Sequence, residues 1–136
     1  MRALVAGNLL DACPAAVVGD GRNMWDVVHV DDVAQAVLLA AKAQDGAGMG
    51  RVYHVVDDEP VSYYDFMALT VAALGVGPPR RAPVWMGGLL AGRNGVAAVV
   101  RSARSSNARI RKELGFSPRY PTARAGVPAA VAALAP

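Results

Sequence analysis

The sequence predicts an α/β fold, a partial Rossmann-type unit that carries a small, mostly helical substrate-binding lobe. Two observations predict it. Up to residue 75, apolar runs and amphipathic segments alternate as strand, helix, strand, helix. Beyond residue 75, the pattern is only helix and loop, interrupted by Gly and Pro. We therefore divide the chain into 1–75, the partial Rossmann-like part, and 76–136, the helical lobe.

The first part opens with short elements. Helical spacing of leucines predicts a short helix over residues 1–12, and an apolar run predicts a strand over Ala15–Val18. Gly19 and Gly21 flank Asp20 and predict a tight turn, because Gly accepts positive φ. The run Asp26–Val30 predicts a second strand.

A helix follows, with Asp31 and Asp32 as its expected cap, and it runs to about Gln44. The residues expected on its buried stripe are Val33, Ala36, Val37, Ala40 and Ala41. Val52–Val56 predicts a strand buried on both faces. Ser62 is the expected cap of a helix over Tyr63–Leu74 that Gly75 ends.

The second part begins with an expected linker over residues 75–83. A loose, Gly-interrupted helix is expected over Trp85–Val100. Ser106 or Asn107 is expected to start a further helix that ends at Gly115, and residues 122–135 predict a terminal Ala-rich helix.

Composition excludes several classes of protein. Hydrophobic residues make up 54% of the chain and charged residues 18%, which excludes a disordered chain. A single cysteine, Cys13, excludes a disulfide framework and a Cys-based zinc site. No apolar run approaches the ~20 residues of a membrane span. We expect a cytoplasmic protein without a membrane partner.

Charge is distributed unevenly along the chain. Residues 1–67 hold four basic and ten acidic side chains, whereas residues 68–136 hold ten basic ones and the single acid Glu113. This asymmetry suits two halves that pack together, a phosphorylated ligand or a missing partner, and a GC-rich genome also favours Arg. Nucleic acid is an unlikely partner, because no aromatic residue interrupts the basic segment Arg101–Lys112.

Local motifs assign no catalytic, cofactor or metal residue. The glycine run Gly46–Gly50 follows a helix and precedes a strand, the reverse of a dinucleotide loop. His29 and Asp31 alternate on one expected strand face but lack a third ligand. Asp57, together with the two acids after it, is interpreted as a solvated turn rather than a divalent-cation site.

Three strings together resemble one family. They are VVGDGRNMWDVVHVDDVAQAV, RVYHVVDDEPVSYYDFM and SNARIRKELGFSPRYPTARAGVPAAV. In order and spacing they are similar to the C-terminal half of the extended short-chain dehydrogenases, the NAD-dependent epimerase/dehydratase family. The resemblance covers roughly residues 10–134. It implies an oxidoreductase fold in which substrate lies between the lobe and a cofactor-binding part.

The resemblance also implies substrate-binding positions. Arg22 and Trp25 fall in the stretch that faces substrate, and many members have an arginine where this chain has Trp25. Arg101 and Arg104 fall near positions that hold a substrate phosphate. His29 completes the expected substrate-binding set.

Two family motifs are absent from the sequence. It contains neither the Gly-x-x-Gly-x-x-Gly loop that holds NAD or NADP nor the Tyr-x-x-x-Lys catalytic pair. We therefore expect a substrate-binding part that binds no cofactor alone, either a gene fragment or one half of a split enzyme. The alternative is a stand-alone binding or self-associating module, such as a homodimer. Whether the chain is an enzyme is left open.

Overall fold

The computed structural model describes residues 16–43 and 50–134. The elements in these residues are β1 (Ala16–Val18), β2 (Met24–Trp25), α1 (Val30–Lys42), β3 (Val61–Ser62), α2 (Tyr63–Ala73), β4 (Arg80–Ala82), α3 (Val84–Val99), α4 (Ala108–Leu114) and α5 (Ala123–Leu134). The fold is mixed α/β with parallel strand pairing, as predicted. The helix predicted over residues 1–12 and most of the 46–50 loop lie outside the described residues.

Contacts divide the described chain into two units. The first unit contains residues 16–24 and 62–102, and the second contains residues 25–61 and 103–134, without 44–49. Neither unit ends at the boundary predicted between residues 75 and 76, which stays a prediction. β2 pairs with β3 in a separate two-stranded sheet.

The first unit is built on a parallel pair of strands. β1 pairs with β4, with Val17 opposite Arg81. The predicted linker over residues 75–83 is therefore wrong in part, because β4 lies within it and extends the sheet edge. The core around this pair is small, as the alanine- and valine-rich composition predicts, and its buried residues are Val17, Tyr63, Val71, Ala82 and Val96.

Close backbone approach fixes the turn after β1. Gly21 has a φ of +67°, and a Cβ there would lie 2.7 Å from Val17 Cγ1 and 2.8 Å from Tyr64 Cβ. The backbone N–H of Tyr64 donates to the Gly21 carbonyl at 3.0 Å, which ties the start of α2 to this turn. The predicted turn is confirmed, and only glycine fits its last position.

The helices of the first unit begin and end near the predicted residues. Ser62 caps α2, since its Oγ accepts the N–H of Asp65 at 3.0 Å, and Gly75 follows the helix with a φ of +72°. α3 is interrupted at Gly92, where φ is +70°. The predicted loose, Gly-interrupted helix is therefore confirmed.

Two predicted strands are wrong. Residues 26–29 and 52–56 form no strand in the structure, and Val30 is the first residue of α1. A strand needs the repeated backbone pairing of a ladder, and the ladders of the described residues join β1 with β4 and β2 with β3. The Asp57 N–H donates to the Val27 carbonyl at 2.8 Å. Both segments are extended connections.

The predicted buried stripe of α1 is also wrong. Val33 and Val37 are exposed at 37% and 62%, as are the alanines predicted with them at positions 40 and 41, and only Ala36 of the stripe is buried. The buried side runs instead through Asp32, Ala36 and half-buried Leu39. Relative to the prediction, the buried face of α1 is shifted by about one residue position, because the carboxylate of Asp32 lies in the interior.

α4 and the loop after it complete the second core. Ile110 and Phe116 are buried against Ala36 of α1, with Tyr53 and Val55 packed at the edge. Asn107 precedes α4, and Gly115 ends it with a φ of +68°, both as predicted.

Asp32 connects α1 to the loop before α5. This side chain is 1% exposed, and its two oxygens accept the backbone N–H groups of Arg119 at 2.6 Å and Tyr120 at 3.0 Å. A buried carboxylate is stable only when such donors satisfy it. The predicted cap by Asp31 and Asp32 is therefore wrong. The N-cap is His29, whose side chain accepts the Asp31 N–H, and Asp32 connects the helix to the loop.

The turn at Gly21 predicts a stability difference between two glycines. Gly21→Ala adds a clash to the strain of positive φ, so we expect a loss of about 3 kcal/mol in the free energy of unfolding. Gly75→Ala is the matched control, because its φ is also positive but no atom lies within 4 Å of the added Cβ; its expected loss is about 1 kcal/mol. Urea unfolding measures both, and equal losses would contradict the packing described.

The Asp32 bonds predict a second difference. Asp32→Ala leaves two buried N–H groups unpaired, so we expect a loss of at least about 3 kcal/mol in the free energy of unfolding. Asp31→Ala removes the neighbouring carboxylate, which is 58% exposed, and is expected to cost about 1 kcal/mol or less. Thermal and urea unfolding of both variants test this; an Asp32→Ala chain as stable as Asp31→Ala would refute the role of the carboxylate.

Candidate functional site

In the first unit, the segment after the Gly21 turn lies beside the end of α3. The Asn23 side-chain amide donates to the carbonyls of Val99 at 2.9 Å and Arg101 at 3.2 Å, and the Met24 N–H donates to Ser102 Oγ at 3.0 Å. These bonds join positions 76 to 78 residues apart. They bring the backbone next to Arg22 alongside Arg101, two of the predicted substrate-binding residues.

Arg22 and Arg101 are both exposed. The Arg22 backbone N–H donates to the Asp20 carboxylate at 3.0 Å, which fixes the turn and leaves the guanidinium outside it. Within the described residues, neither guanidinium lies within 4.0 Å of a carboxylate. Two cations without an acidic partner have the chemistry needed to hold an anion.

In the second unit, Trp25 is half-buried and Arg104 is exposed. The Asp26 carboxylate accepts the backbone N–H of Ser105 at 2.6 Å. This bond places the residue after Trp25 beside the residue after Arg104. Two further predicted site residues therefore lie on neighbouring segments of this unit.

His29 has a structural position in the second unit. Its side chain is 8% exposed, and Nδ1 accepts the N–H of Asp31 at 3.2 Å, which caps α1. Its ring lies 4.0 Å from the Tyr120 ring, centroid to centroid, and Gly126 of α5 lies against both side chains. Its Nε2 is buried and has no hydrogen-bond partner in the described residues. Its role in substrate binding stays a prediction.

A polar cluster surrounds residues 57 and 58. Asn107 is 7% exposed, and its side-chain amide donates to the Val56 carbonyl at 2.9 Å and to Asp58 Oδ1 at 2.8 Å. The Arg111 guanidinium donates to the same Asp58 oxygen at 2.6 Å, and the Asp58 N–H donates to the Pro121 carbonyl at 2.8 Å. Asp58 is thus held by two other segments of the unit, α4 with its capping residue and the loop before α5.

Asp57 differs from the solvated turn residue that was predicted. It is 7% exposed, and its Oδ1 has no hydrogen-bond partner among the described residues. Burial, followed by the charges of Asp32 and Asp58, raises the pKa of Asp57 from 3.8 to about 6. By contrast, the hydrogen bond from Asn107, with the bond and charge of Arg111, holds the pKa of Asp58 below its usual value.

A second charged network lies on the surface of this unit. The Tyr53 hydroxyl donates to Glu113 at 2.7 Å, and the Arg109 guanidinium donates to the same carboxylate at 3.2 Å and lies 5.5 Å from the centre of the Tyr53 ring. The hydrogen bond between Tyr53 and Glu113 raises the pKa of Tyr53 and lowers the pKa of Glu113. These groups pair with one another, which suits a stabilising role.

The sequence did not predict that Asp32, Asp57 and Asn107 are buried polar residues of the second unit. The adjacent acids at 31–32 and 57–58 were visible, but a single sequence does not reveal which segment lies opposite each one. Within residues 16–43 and 50–134, no group of three His, Cys, Asp or Glu side chains is placed to hold a metal. No helix in the same ranges is long and apolar enough to span a membrane.

Comparison with known proteins identifies relatives. Residues 1–55 match the profile of the NAD dependent epimerase/dehydratase family. The mouse sterol-4-alpha-carboxylate 3-dehydrogenase, decarboxylating, is 32% identical over 78 residues, which are 55% of this chain and 22% of that protein. A 3-diazoavenalumate denitrifying reductase from a Streptomyces species is 28% identical over 79% of this chain and 34% of its own length.

Solved structures share the fold over nearly the whole chain. A functionally unknown conserved protein from Silicibacter pomeroyi is 27% identical with a TM-score of 0.74, and covers 94% of this chain and 43% of its own. A human epimerase family protein, solved with NADPH, has a TM-score of 0.78 at 17% identity, and covers 97% of this chain and 43% of its own. This chain thus spans less than half the length of these two structures. The family profile over residues 1–55, these partial relatives and the shared fold all show that the chain is similar to the NAD dependent epimerase/dehydratase family.

Proposed function

We propose that this chain is the substrate-binding part of an NAD(P)-dependent oxidoreductase of the epimerase/dehydratase family and that it is not catalytic by itself. Similarity to this family supports the first half of the proposal. The second half rests on chemistry, because the 136 residues contain neither the family's Gly-rich loop nor its Tyr-x-x-x-Lys pair. A separate N-terminal half would supply both.

The observation that carries the proposal is the pairing of two segments in the first unit. The bonds from Asn23 hold the backbone next to Arg22 against Arg101. Both guanidinium groups are exposed and lack an acidic partner within the described residues. Arg forms paired hydrogen bonds to phosphate and carboxylate oxygens. The substrate we propose is therefore anionic, a nucleotide sugar or another phosphorylated molecule.

The residues described do not fit a bound NAD or NADP. A pyrophosphate needs a glycine-rich turn between a strand and the N-terminus of a helix. In the described residues, the strands that lead into α2 and α3 do so through Ser62 and Pro83. Residues 26–29, which lead into α1, likewise contain no glycine. We assign no cofactor contact to this chain.

Relatives indicate a second substrate class with the same anionic chemistry. The mouse relative is named for a sterol 4-alpha-carboxylate. A structural neighbour, the Bacillus cereus UDP-glucuronic acid 4-epimerase, was solved with UDP-glucuronic acid and NAD at 16% identity and a TM-score of 0.66. Trp25 is half-buried and replaces the arginine that is common in the family. An apolar side chain at this position favours the sterol carboxylate, the less polar of the two ligands. A nucleotide sugar and a sterol carboxylate are therefore both used in the test below.

The alternative is a non-enzymatic module that associates with itself. The outer face of α1 supports it, because four large apolar side chains there are exposed: Val30, Val33, Val37 and Leu38. Contiguous apolar surface of this kind is commonly covered by another chain. This alternative needs no substrate.

Ligand titration tests the proposed function. We expect UDP-glucuronic acid or a sterol carboxylate to bind the chain, and Arg22→Gln or Arg101→Gln to weaken that binding about tenfold, since each removes a charge-assisted hydrogen bond. Isothermal titration calorimetry measures the affinities. Arg80→Gln is the control, because Arg80 is an exposed arginine of the same unit. Equal weakening by all three variants would show that binding depends on net charge alone and not on the positions of Arg22 and Arg101.

The same calorimeter tests the non-catalytic half of the proposal. NADH titrated into the chain is expected to give no saturable binding at submillimolar concentration. Tight, saturable NADH binding would overturn the proposal that the cofactor site lies in another part of the enzyme.

Size-exclusion chromatography with light scattering distinguishes the self-associating module. A discrete dimer that melts cooperatively, and that Val37→Lys converts to a monomer, is the outcome expected for the module. Ala72→Lys, at an exposed position of α2 outside the apolar face, is the control for added charge. A broad aggregate without cooperative melting supports a part that needs its missing half.

A further inference from the structure

The second unit holds three neighbouring carboxylates, and two of them are satisfied. Asp32 accepts the N–H groups of Arg119 and Tyr120. Asp58 accepts hydrogen bonds from Asn107 and Arg111. Asp57 is the exception, since its Oδ1 is buried and no described residue donates to it. The proposed function uses none of these three groups.

Asp57 lies where several segments of the unit meet. Its backbone N–H donates to the Val27 carbonyl, and the N–H of the next residue, Asp58, donates to the Pro121 carbonyl, both at 2.8 Å. The charged or titratable groups on the elements around it are Asp32 and His29 at the start of α1, Asp58 on its own segment, Arg111 on α4, and Arg119 before α5. The Arg111 guanidinium bonds Asp58. The Arg119 guanidinium lies 5.4 Å from the centre of the Tyr120 ring, and only the backbone N–H of Arg119 bonds Asp32.

The ionised form of Asp57 is unfavourable in this position. A buried carboxylate loses its hydration, and two nearby anions repel its charge. The neutral form removes that repulsion and adds an O–H donor to a region that contains two carboxylate acceptors. Protonation therefore favours the packed arrangement of these segments.

We propose that Asp57 is a proton switch that tightens the junction of residues 26–32, 56–58 and 119–121 at mildly acidic pH and loosens it at neutral pH. The switch operates by binding a single proton at the Asp57 carboxylate. The geometry that supports it is the buried Oδ1 of Asp57, to which no described residue donates, in a side chain that is 7% exposed.

The direction of the pH dependence follows from linkage. The pKa of Asp57 is about 6 in the folded chain against an ordinary value of 3.8. The folded chain binds the proton more tightly, so stability from this group is complete below about pH 4 and is lost as the pH rises through 6. Two pKa units correspond to about a hundredfold change in the unfolding equilibrium constant.

Asp57→Asn tests the switch, because the amide is a permanently neutral replacement of similar shape. Urea unfolding of the full chain between pH 4.5 and 7.5 is the measurement. Over this pH range the unfolding equilibrium constant of the unsubstituted chain is expected to rise about 25-fold more than that of Asp57→Asn, because part of the hundredfold effect lies below pH 4.5. Parallel pH dependences of the two chains would overturn the proposal. Glu59→Gln, an exposed acid two residues away, is expected to keep the dependence of the unsubstituted chain.

A direct titration covers the case in which Asp57→Asn does not fold. Carbon-13 NMR of the side-chain carboxyl in the unsubstituted chain is expected to give a midpoint near 6 for Asp57. A midpoint below about 4.5 would refute the proposal, since it would lie close to the ordinary pKa of an aspartate.

Hydrogen exchange gives a local readout that a general loss of stability does not. Protection factors of the Asp58 and Tyr120 N–H groups, which bond Pro121 and Asp32, are expected to fall between pH 5 and 7.5. That of Tyr64, which bonds Gly21 in the other unit, is expected to fall less, because only the loss of global stability affects it. An equal fall at all three amides would indicate global unfolding and contradict a local switch.

Discussion

The buried carboxylate of Asp32 is the constraint on which the second unit depends. A charge that is 1% exposed must be satisfied by donors, and the backbone N–H groups of Arg119 and Tyr120 are those donors. This requirement turns α1 so that valines predicted to be buried face outward. It also holds Tyr120 at the position where its ring meets His29. One polar interaction therefore sets the helix face, the loop and the surroundings of a predicted site residue.

Local chemistry was predictable from the sequence, and pairing across the chain was not. Ser62, Gly75 and Gly115 stop or start helices as predicted, because caps and left-handed turns depend on the residue itself. The strand predicted over Val52–Val56 fails because an apolar run forms a strand only with a partner. β4 was missed for the opposite reason, since Arg80–Ala82 has no strand pattern of its own and is a strand because β1 lies beside it.

The candidate site shows the same division. The family resemblance predicted Arg22 and Arg101, and the bonds of Asn23 bring their segments together, although substrate binding by either residue stays a prediction. The burial of Asp57 was not predictable from the sequence. Whether a carboxylate next to a turn is hydrated or buried depends on what packs over it, and the covering residues are 49 to 53 positions away for its neighbour Asp58.

The Asp32 bonds also order the events of synthesis and folding. Their donors lie 87 and 88 residues further along the chain. Until residue 120 has been made, the Asp32 carboxylate has neither of these partners and must remain in water. Closing so long a loop is slow compared with forming α1 or α4. The second unit therefore completes its interior only after residue 120 has left the ribosome.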